Sequence, residues 1–181
     1  MRLAVRLLEI GGGTRPHPLA AENLDLLTGH DLTKPWAVDT ESVDAIYASH
    51  VLEHIAKGAD TLHVMSEAHR VLKPGGTFTI KLPVVGWTDS ADRLVSDWKV
   101  YADPTHVSLW WLPQGLVYFC DGAGYEAGWV DYGTPKFGPL GSRIHEADAY
   151  DRIAGVGTEF HDRTSWWAVG GSWEGLANLV R

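Results

Sequence analysis

An apolar run that ends abruptly in three glycines constrains the fold of this chain more than any other feature. The run extends from Leu3 to Ile10, interrupted by Arg6 and Glu9, and Gly11–Gly13 follow it directly. A short apolar run bounded by chain breakers predicts a buried strand of the kind found in parallel sheets. Glycines directly after a strand let the backbone turn sharply and approach a ligand closely, because no Cβ intervenes. Taken alone, the pattern fits a tight turn without a ligand equally well.

Strand-like and helix-like segments alternate along the rest of the chain. The predicted elements are a short strand ending at Asp25, a strand over Ser42–Ser49, a helical segment from Val51 to Ile55, a helix over Thr61–Leu72 with Asp60 as its N-cap, a strand over Thr77–Leu82, a helix over Pro113–Cys120, a strand over Tyr125–Asp131, a short helix over Glu146–Ile153 and a last strand over Thr164–Val169. This alternation predicts an α/β domain with a mostly parallel sheet. Ligands of such sheets bind beyond the carboxyl ends of the strands.

Composition excludes several classes of protein. With 181 residues, one domain with one core is expected. The formal net charge of −8 argues against a broad surface for nucleic acid or an anionic membrane. Cys120 is the single cysteine, so neither an intrachain disulfide nor a thiolate zinc cluster can form. No signal peptide and no run long enough to span a bilayer is found, and we expect a cytoplasmic protein.

Four blocks of sequence stand in a characteristic order. They are Leu8-Glu9-Ile10-Gly11-Gly12-Gly13, His30-Asp31-Leu32-Thr33-Lys34-Pro35, the stretch from Val43 to His54 that ends in Leu-Glu-His, and the stretch from Glu67 to Gly76 that ends in Lys-Pro-Gly-Gly. Together with an aspartate after the second strand, they resemble the class I S-adenosylmethionine-dependent methyltransferases, and among these the small methyltransferase-11-like group. The resemblance runs from about residue 3 to residue 83.

This resemblance implies a Rossmann-like α/β fold. Its sheet would be mostly parallel and seven-stranded, with the last strand inserted antiparallel and helices on both faces. The helix that usually joins the first two strands is expected to be abbreviated to a loop, because Arg15-Pro16-His17-Pro18 opposes a regular helix. The chain would form a single methyltransferase-like domain over residues 1–181. Residues 1–83 would be its cofactor-binding half, and residues 84–181 would supply a substrate-side insert and the C-terminal strands.

The resemblance also implies a cofactor, S-adenosyl-L-methionine, and the residues around it. The glycine turn would hold its methionine and ribose part, Asp25 the ribose hydroxyls, and Asp31 the adenine amino group, with Leu32 packed on the ring. The full set of cofactor-binding candidates is Glu9, Gly11, Gly12, Gly13, Asp25, Asp31, Leu32, Ser49 and His50.

Substrate-side chemistry is expected from the segment Asp103-Pro104-Thr105-His106, which also fits an ordinary turn. The candidates for a general base are His50, Tyr101, Asp103 and His106. His50 and His54 lie one helical turn apart with Glu53 beside them, but histidines at this spacing more often cap or pack. No metal site is therefore assigned.

The leading hypothesis is an S-adenosylmethionine-dependent methyltransferase acting on a small-molecule or sugar-like acceptor. The alternative is a non-catalytic binding or assembly module, motivated by Arg15-Pro16, the short first crossover and nine tryptophans. A nicotinamide-dependent oxidoreductase is a third and weaker hypothesis, because Pro16 stands where the dinucleotide-binding motif needs its third glycine. The cofactor cleft is expected to be open, or closed by a second copy or a partner protein. Gly11→Val is expected to block cofactor binding and to leave the protein folded.

Overall fold

The computed structural model describes most of the N-terminal half of the chain and shorter segments beyond it. The described residues are 5–83, 87–88, 94–95, 99–110, 114–120, 132–138, 166–169 and 172–181. The predicted strand over Tyr125–Asp131 and the predicted helix over Glu146–Ile153 lie outside them. The division into a cofactor-binding half and a substrate-side half stays a prediction.

A six-stranded sheet forms the centre of the described structure, in the order β2-β1-β3-β4-β8-β7. Its strands are β1 (Leu7–Ile10), β2 (Ala20–Leu24), β3 (Val43–Ser49), β4 (Leu72–Pro83), β7 (Trp166–Val169) and β8 (Ser172–Val180). The first four strands in that order are parallel, and β8 pairs antiparallel with both β4 and β7. The strands β5 (Trp87–Thr88) and β6 (Leu94–Val95) make a separate two-stranded ribbon.

This sheet confirms the Rossmann-like α/β architecture but not all of its predicted detail. The described residues supply six strands to it, so a seventh is not seen among them. The predicted last strand does form, as β7, but β8 follows it and is the strand inserted antiparallel. The sequence signal of β8 is weak, because Glu174 and Gly175 interrupt its apolar residues.

The helices of the described residues are few and mostly short. They are α1 (Ala59–Val71), α2 (Lys99–Ala102) and the 3₁₀ turns Leu26–Thr28, Leu52–His54 and Gln114–Phe119. The predicted helix over Pro113–Cys120 is thus a 3₁₀ turn, and Cys120 bridges to Phe137 in an isolated β-contact. Helices on both faces of the sheet are not seen in this part of the chain. None of these helices has the length and apolarity needed to cross a bilayer.

The core of the described structure lies on the central parallel strands and α1. All four residues of β1 are buried, as expected for a strand that is covered on both faces. Val64, Met65, Ala68 and Val71 repeat at helical spacing along α1 and are at most 1% exposed. Burial of each valine or methionine side chain stabilises the fold by roughly 1.5–3 kcal/mol.

Both ends of α1 differ from the prediction. The N-cap is Gly58, with φ of 93° and no side-chain cap, so the expected capping by Asp60 is wrong. A left-handed glycine sets the direction in which the chain enters the helix, and Asp60 falls within its first turn. At the other end Leu72 is already extended and pairs with Val43, so β4 begins before Lys73-Pro74-Gly75-Gly76.

The first crossover is a loop, as predicted. Residues 11–19 join β1 to the parallel strand β2 without a helix. The loop begins with a backbone bond from Gly11 N to Leu24 O of 2.9 Å, which ties it to the end of β2. Arg15 and Pro16 lie exposed on it. The carboxyl ends of β1 and β2 are therefore left close together, with no helix between them.

Candidate cofactor and acceptor site

The glycine loop after β1 needs glycine at its first position for two separate reasons. Gly11 has φ of 74°, which L side chains rarely adopt. A Cβ built on Gly11 would also lie 2.6 Å from Cβ of Val51, the residue preceding the 3₁₀ turn after β3. Gly13 has φ of 59° but open space around it. The glycine loop and the segment after β3 thus pack too closely to leave room for a side chain at position 11.

Two side chains pack around the middle of this loop. Glu9 is only 4% exposed and accepts a hydrogen bond from His17 N at 2.5 Å, so it closes the loop from inside. Asn23 accepts from Gly12 N at 3.1 Å and donates from Nδ2 to Gly13 O at 2.8 Å. A Cβ on Gly12 would lie 2.8 Å from both Glu9 Cδ and Asn23 Oδ1. Sequence reasoning missed Asn23, although its place at the end of β2 was a usable signal.

Asp25 lies beside the glycine loop, where the sequence predicted it. Its Oδ2 accepts from Gly13 N at 2.9 Å, and its Oδ1 accepts from Leu27 N at 2.7 Å. The second bond caps the 3₁₀ turn Leu26–Thr28. A carboxylate has about four acceptor sites, so two backbone bonds leave acceptor capacity on this group. The carboxylate is held at the carboxyl end of β2 and turned towards the loop.

Asp31 and Leu32 lie at a cavity of about 220 Å³ next to the end of β2. Its lining residues are Leu24, Gly29, His30, Asp31, Leu32, Lys34, Pro35, Trp36 and Ala37. Leu32 and Trp36 are each 6% exposed and give the cavity an apolar floor. Trp36 was not predicted as a site residue, because one tryptophan in a proline-containing loop carries no spacing signal.

Asp31 is also the acceptor of a local turn. Its Oδ1 accepts from the Thr33 hydroxyl at 2.7 Å and from the Thr33 amide at 2.9 Å. These two bonds lower the pKa of the exposed Asp31 carboxyl below its ordinary value. The carboxylate is therefore ionised at neutral pH and keeps one oxygen, Oδ2, outside this turn.

A clamp between α1 and residues 36–40 fixes one wall of the cavity. Glu67 accepts from Trp36 N at 2.7 Å and from Nε and Nη2 of Arg70 at 2.7 and 2.8 Å. Arg70 in turn donates to Trp36 O, Val38 O and Thr40 Oγ1. The bond from Arg70 holds the pKa of the Glu67 carboxyl below its ordinary value of 4.5, against the opposing effect of burial. Neither residue was predicted to support the site.

We expect this clamp to make the protein sensitive to acid. Since the pKa of Glu67 is lowered in the folded state, the unfolded chain binds more protons in acid, and the stabilisation is present above pH about 4.5 and lost as the pH falls through the folded pKa. Glu67→Gln should lower the free energy of unfolding at pH 7 by about 1–3 kcal/mol and flatten its decline between pH about 5 and 3. Urea denaturation at several pH values measures both.

Glu41→Gln is the matched control for this prediction. Glu41 pairs with Arg181 at 2.7 Å, but its side chain is 49% exposed, compared with 13% for Glu67. An exposed pair contributes less than about 1 kcal/mol. Equal losses in the two variants would show that the bond of Glu67 to Trp36 N adds nothing to stability.

A histidine and a buried glutamate lie at the carboxyl end of β3. His50 follows Ser49, the half-buried last residue of the strand, and has φ of 54°, a left-handed backbone that is uncommon outside glycine and asparagine. Its Nδ1 lies 3.2 Å from Glu53 Oε1, and the side chains are 38% and 2% exposed. Buried carboxylates beside a histidine ring fix its orientation and tautomer. Glu53 was not predicted as a site residue, although it lies within the Leu-Glu-His block.

The segment from Asp103 to Ser108 docks onto the 3₁₀ turn Leu52–His54. Val107 N and Ser108 N donate to Glu53 O at 2.9 and 3.0 Å. The rings of His54 and His106 are 4.9 Å apart, edge to face. Of the predicted acceptor-side residues, His50 and His106 are thus brought to the same turn. Tyr101, on α2, is 61% exposed.

Asp103 forms an ordinary turn, which was the alternative interpretation of the segment Asp103-Pro104-Thr105-His106. Its Oδ1 accepts from Thr105 N at 2.8 Å and from Thr105 Oγ1 at 2.6 Å, and both bonds lower the pKa of its carboxyl. Its other oxygen lies 3.7 Å from His106 Nε2. The turn thereby orients His106 towards the segment after β3.

Comparison with known proteins gives one matching family and a set of structures with a similar fold. Residues 9–80 match the model of the methyltransferase domain called Methyltransf_11. No curated protein matches the chain. A crystal structure of an S-adenosylmethionine-dependent methyltransferase from Archaeoglobus fulgidus aligns with a TM-score of 0.52 and 13% identity, over 98% of this chain and 86% of that one.

Two further structures align over part of the chain. Phosphoethanolamine N-methyltransferase 2 of Haemonchus contortus, in complex with S-adenosyl-L-methionine, has a TM-score of 0.47 and 22% identity over 63% of this chain and 31% of its own. A complex of the Trm112 methyltransferase activator and a methyltransferase from Haloferax volcanii has a TM-score of 0.34 and 19% identity over 45% and 47%. The chain thus spans less than half of the length of several structures that it matches in part.

The family match begins at Glu9, covers the glycine loop, the cavity segment and the turn after β3, and ends in β4. The Archaeoglobus structure independently supports the fold. Residues 9–80 are therefore similar to a methyltransferase domain of the methyltransferase-11 type, and the fold is that of an S-adenosylmethionine-dependent methyltransferase.

Proposed function

We propose that this protein transfers a methyl group from S-adenosyl-L-methionine to a small-molecule or sugar-like acceptor. One observation carries the proposal: the glycine loop, the Asp25 carboxylate and the Asp31–Leu32 cavity follow one another along the carboxyl ends of the adjacent strands β1 and β2. This edge is where ligands of open parallel sheets bind. The match of residues 9–80 to a methyltransferase domain supports the same assignment.

Each part of this edge suits one part of the cofactor. The tight loop from Gly11 to Gly13 allows close backbone contact with the methionine and ribose portion. The acceptor capacity left on Asp25 suits the ribose hydroxyls, which are hydrogen-bond donors. The cavity has an apolar floor for a flat purine, and Asp31 is an ionised acceptor at its rim for an exocyclic amine. Ser49 and His50, at the end of the next strand, would lie near the sulfonium.

His50 is the best-placed candidate for a general base. The sulfonium supplies its own leaving group, so the protein has mainly to align the acceptor and remove a proton. His50 is partly exposed at the rim, and the buried Glu53 holds its ring through Nδ1. In this proposal its Nε2 would take a proton from a hydroxyl or amine, as in other histidine–carboxylate pairs. Asp103 and His106 are second candidates, and Tyr101 is the most exposed of the four.

The alternative of a non-catalytic module is not favoured by the described residues. Its main motivation was that Arg15-Pro16 would disturb the cofactor loop, and both residues are exposed. The short first crossover is real, but the loop is well fixed by Glu9, Asn23 and Asp25.

Calorimetric titration with S-adenosylhomocysteine tests the cofactor site. We expect saturable binding to the full chain, and we expect Asp25→Ala to weaken it by about 1–3 kcal/mol, or roughly 5- to 150-fold, through lost hydrogen bonds. Asp60→Ala removes the same charge from the first turn of α1 and should leave affinity unchanged. Absence of binding at millimolar ligand would refute the proposal. Equal affinity of the Asp25 variant and wild type would remove Asp25 from the site.

A further inference from the structure

We propose that Glu53, His54 and His106 form a binding site for a divalent transition-metal cation such as Zn²⁺. One ligand atom from each residue can be chosen so that all three lie within 4.8 Å of one another. The sequence interpretation assigned no metal. It considered His50 and His54 with Glu53 beside them but not His106, because His106 is brought to this turn by tertiary contacts that residue spacing does not reveal.

An unsatisfied buried carboxylate is the second, independent observation. Glu53 is 2% exposed, and while Oε1 faces His50, Oε2 has no hydrogen-bond partner among the residues that the structure describes. Leaving a buried anionic oxygen without a partner costs several kcal/mol, so such groups are normally paired or bind a metal. A cation between Glu53 and the two histidines would satisfy this oxygen.

His54 is held from behind by a hydrogen bond, as metal ligands usually are, and a carboxylate lies near His106. His54 Nδ1 lies 3.1 Å from Thr105 O. Donation to this carbonyl selects the tautomer in which Nε2 carries the lone pair that binds a metal. His106 has the Asp103 carboxylate 3.7 Å from its Nε2. Histidine ligands backed by a carbonyl or a carboxylate are the common arrangement around zinc.

The ligand types and geometry determine which cation suits the site. Two imidazoles and one carboxylate favour Zn²⁺ and related first-row ions over Mg²⁺ and Ca²⁺, which prefer oxygen ligands. Tetrahedral zinc ligands are about 3.4 Å apart, given bonds of about 2.0–2.1 Å. Side-chain rotation that closes the cluster by at most about 1.4 Å would therefore complete it. Three protein ligands leave a fourth position for water or an oxygen or nitrogen donor.

Calorimetric titration with Zn²⁺ alone, on chelator-treated full-length protein, tests this site. We expect one tight site per chain, weakened at least about 10-fold in His106→Ala and in Glu53→Gln. His30→Ala, which removes an exposed histidine elsewhere, should leave that site intact. Zn²⁺ should also raise the thermal midpoint of wild type and of His30→Ala, but not that of the His54→Ala, His106→Ala double variant.

The result of the zinc titration does not depend on the proposed methyl transfer, because the titration contains neither S-adenosylmethionine nor an acceptor. Absence of a tight site in wild type would overturn the assignment. So would a site that keeps its affinity in both His106→Ala and the double variant, since the bound zinc would then lie elsewhere. If Glu53→Gln does not fold, the two histidine variants carry the test.

Discussion

We expect Gly11→Val to lower the free energy of unfolding by about 2–5 kcal/mol. A left-handed backbone costs an L residue about 1–2 kcal/mol, and forcing extra atoms into a packed site costs typically 1–3 kcal/mol more. Both terms apply, because Gly11 has φ of 74° and its added Cβ would lie 2.6 Å from Cβ of Val51. The Val51 atom is attached directly to the backbone and cannot rotate away. Urea denaturation followed by circular dichroism measures the loss.

Gly13→Ala separates the two causes. Gly13 is also left-handed, with φ of 59°, but a Cβ there would meet nothing within 4 Å. Only the conformational term remains, so we expect a loss of about 1–2 kcal/mol. Equal losses at the two positions would show that the contact with Val51 contributes nothing. The sequence interpretation expected Gly11→Val to leave the protein folded, whereas the structure leads us to expect destabilisation. Substitution of Asp25 is therefore the better test of cofactor binding.

The parallel half of the sheet could be predicted because its signals are local. The apolar runs of β1 and β3 are bounded by glycine or polar residues, and every residue of β1 is buried. β8 could not be predicted in the same way. It contains Gly175 and Glu174 and depends on antiparallel pairing with β4, whose paired residues lie 91 to 103 positions earlier in the chain. Its place between β4 and β7 is set by tertiary contacts.

The same difference between local and tertiary signals separates the predicted site residues from the missed ones. Asp25 and Asp31 were predicted, because each follows or lies close to a strand end and belongs to a block shared with the family. The sequence did not reveal that both carboxylates also accept backbone bonds. Asn23 and Glu67 were missed because their roles depend on partners from other elements, the glycine loop and residues 36–40. Sequence blocks thus indicate candidates for ligand contact, whereas the residues that hold these candidates in place become apparent only in the folded chain.

The second large effect is expected at the reaction itself. We expect His50→Asn to lower kcat by about 10²- to 10⁴-fold, the usual contribution of a general base. Asparagine tolerates the left-handed backbone that His50 adopts and keeps a side-chain donor for Glu53, but it cannot take a proton. Affinity for S-adenosylhomocysteine should change less than about 3-fold, because this ligand lacks the sulfonium near which His50 would lie. The rate is measured as S-adenosylhomocysteine released with whichever hydroxyl, amine or sugar acceptor the wild type methylates.

Glu41→Asn is the matched control for the backbone. Glu41 is the other described non-glycine residue with positive φ, at 53°, and it lies outside the proposed site. The change tests whether asparagine in this conformation is tolerated, and kcat should stay within about 2-fold of wild type. If His50→Asn also kept the wild-type rate, proton removal by His50 would be excluded. Asp103→Asn and His106→Asn would then be compared next, because transfer to an amine or hydroxyl still needs a group that accepts the proton.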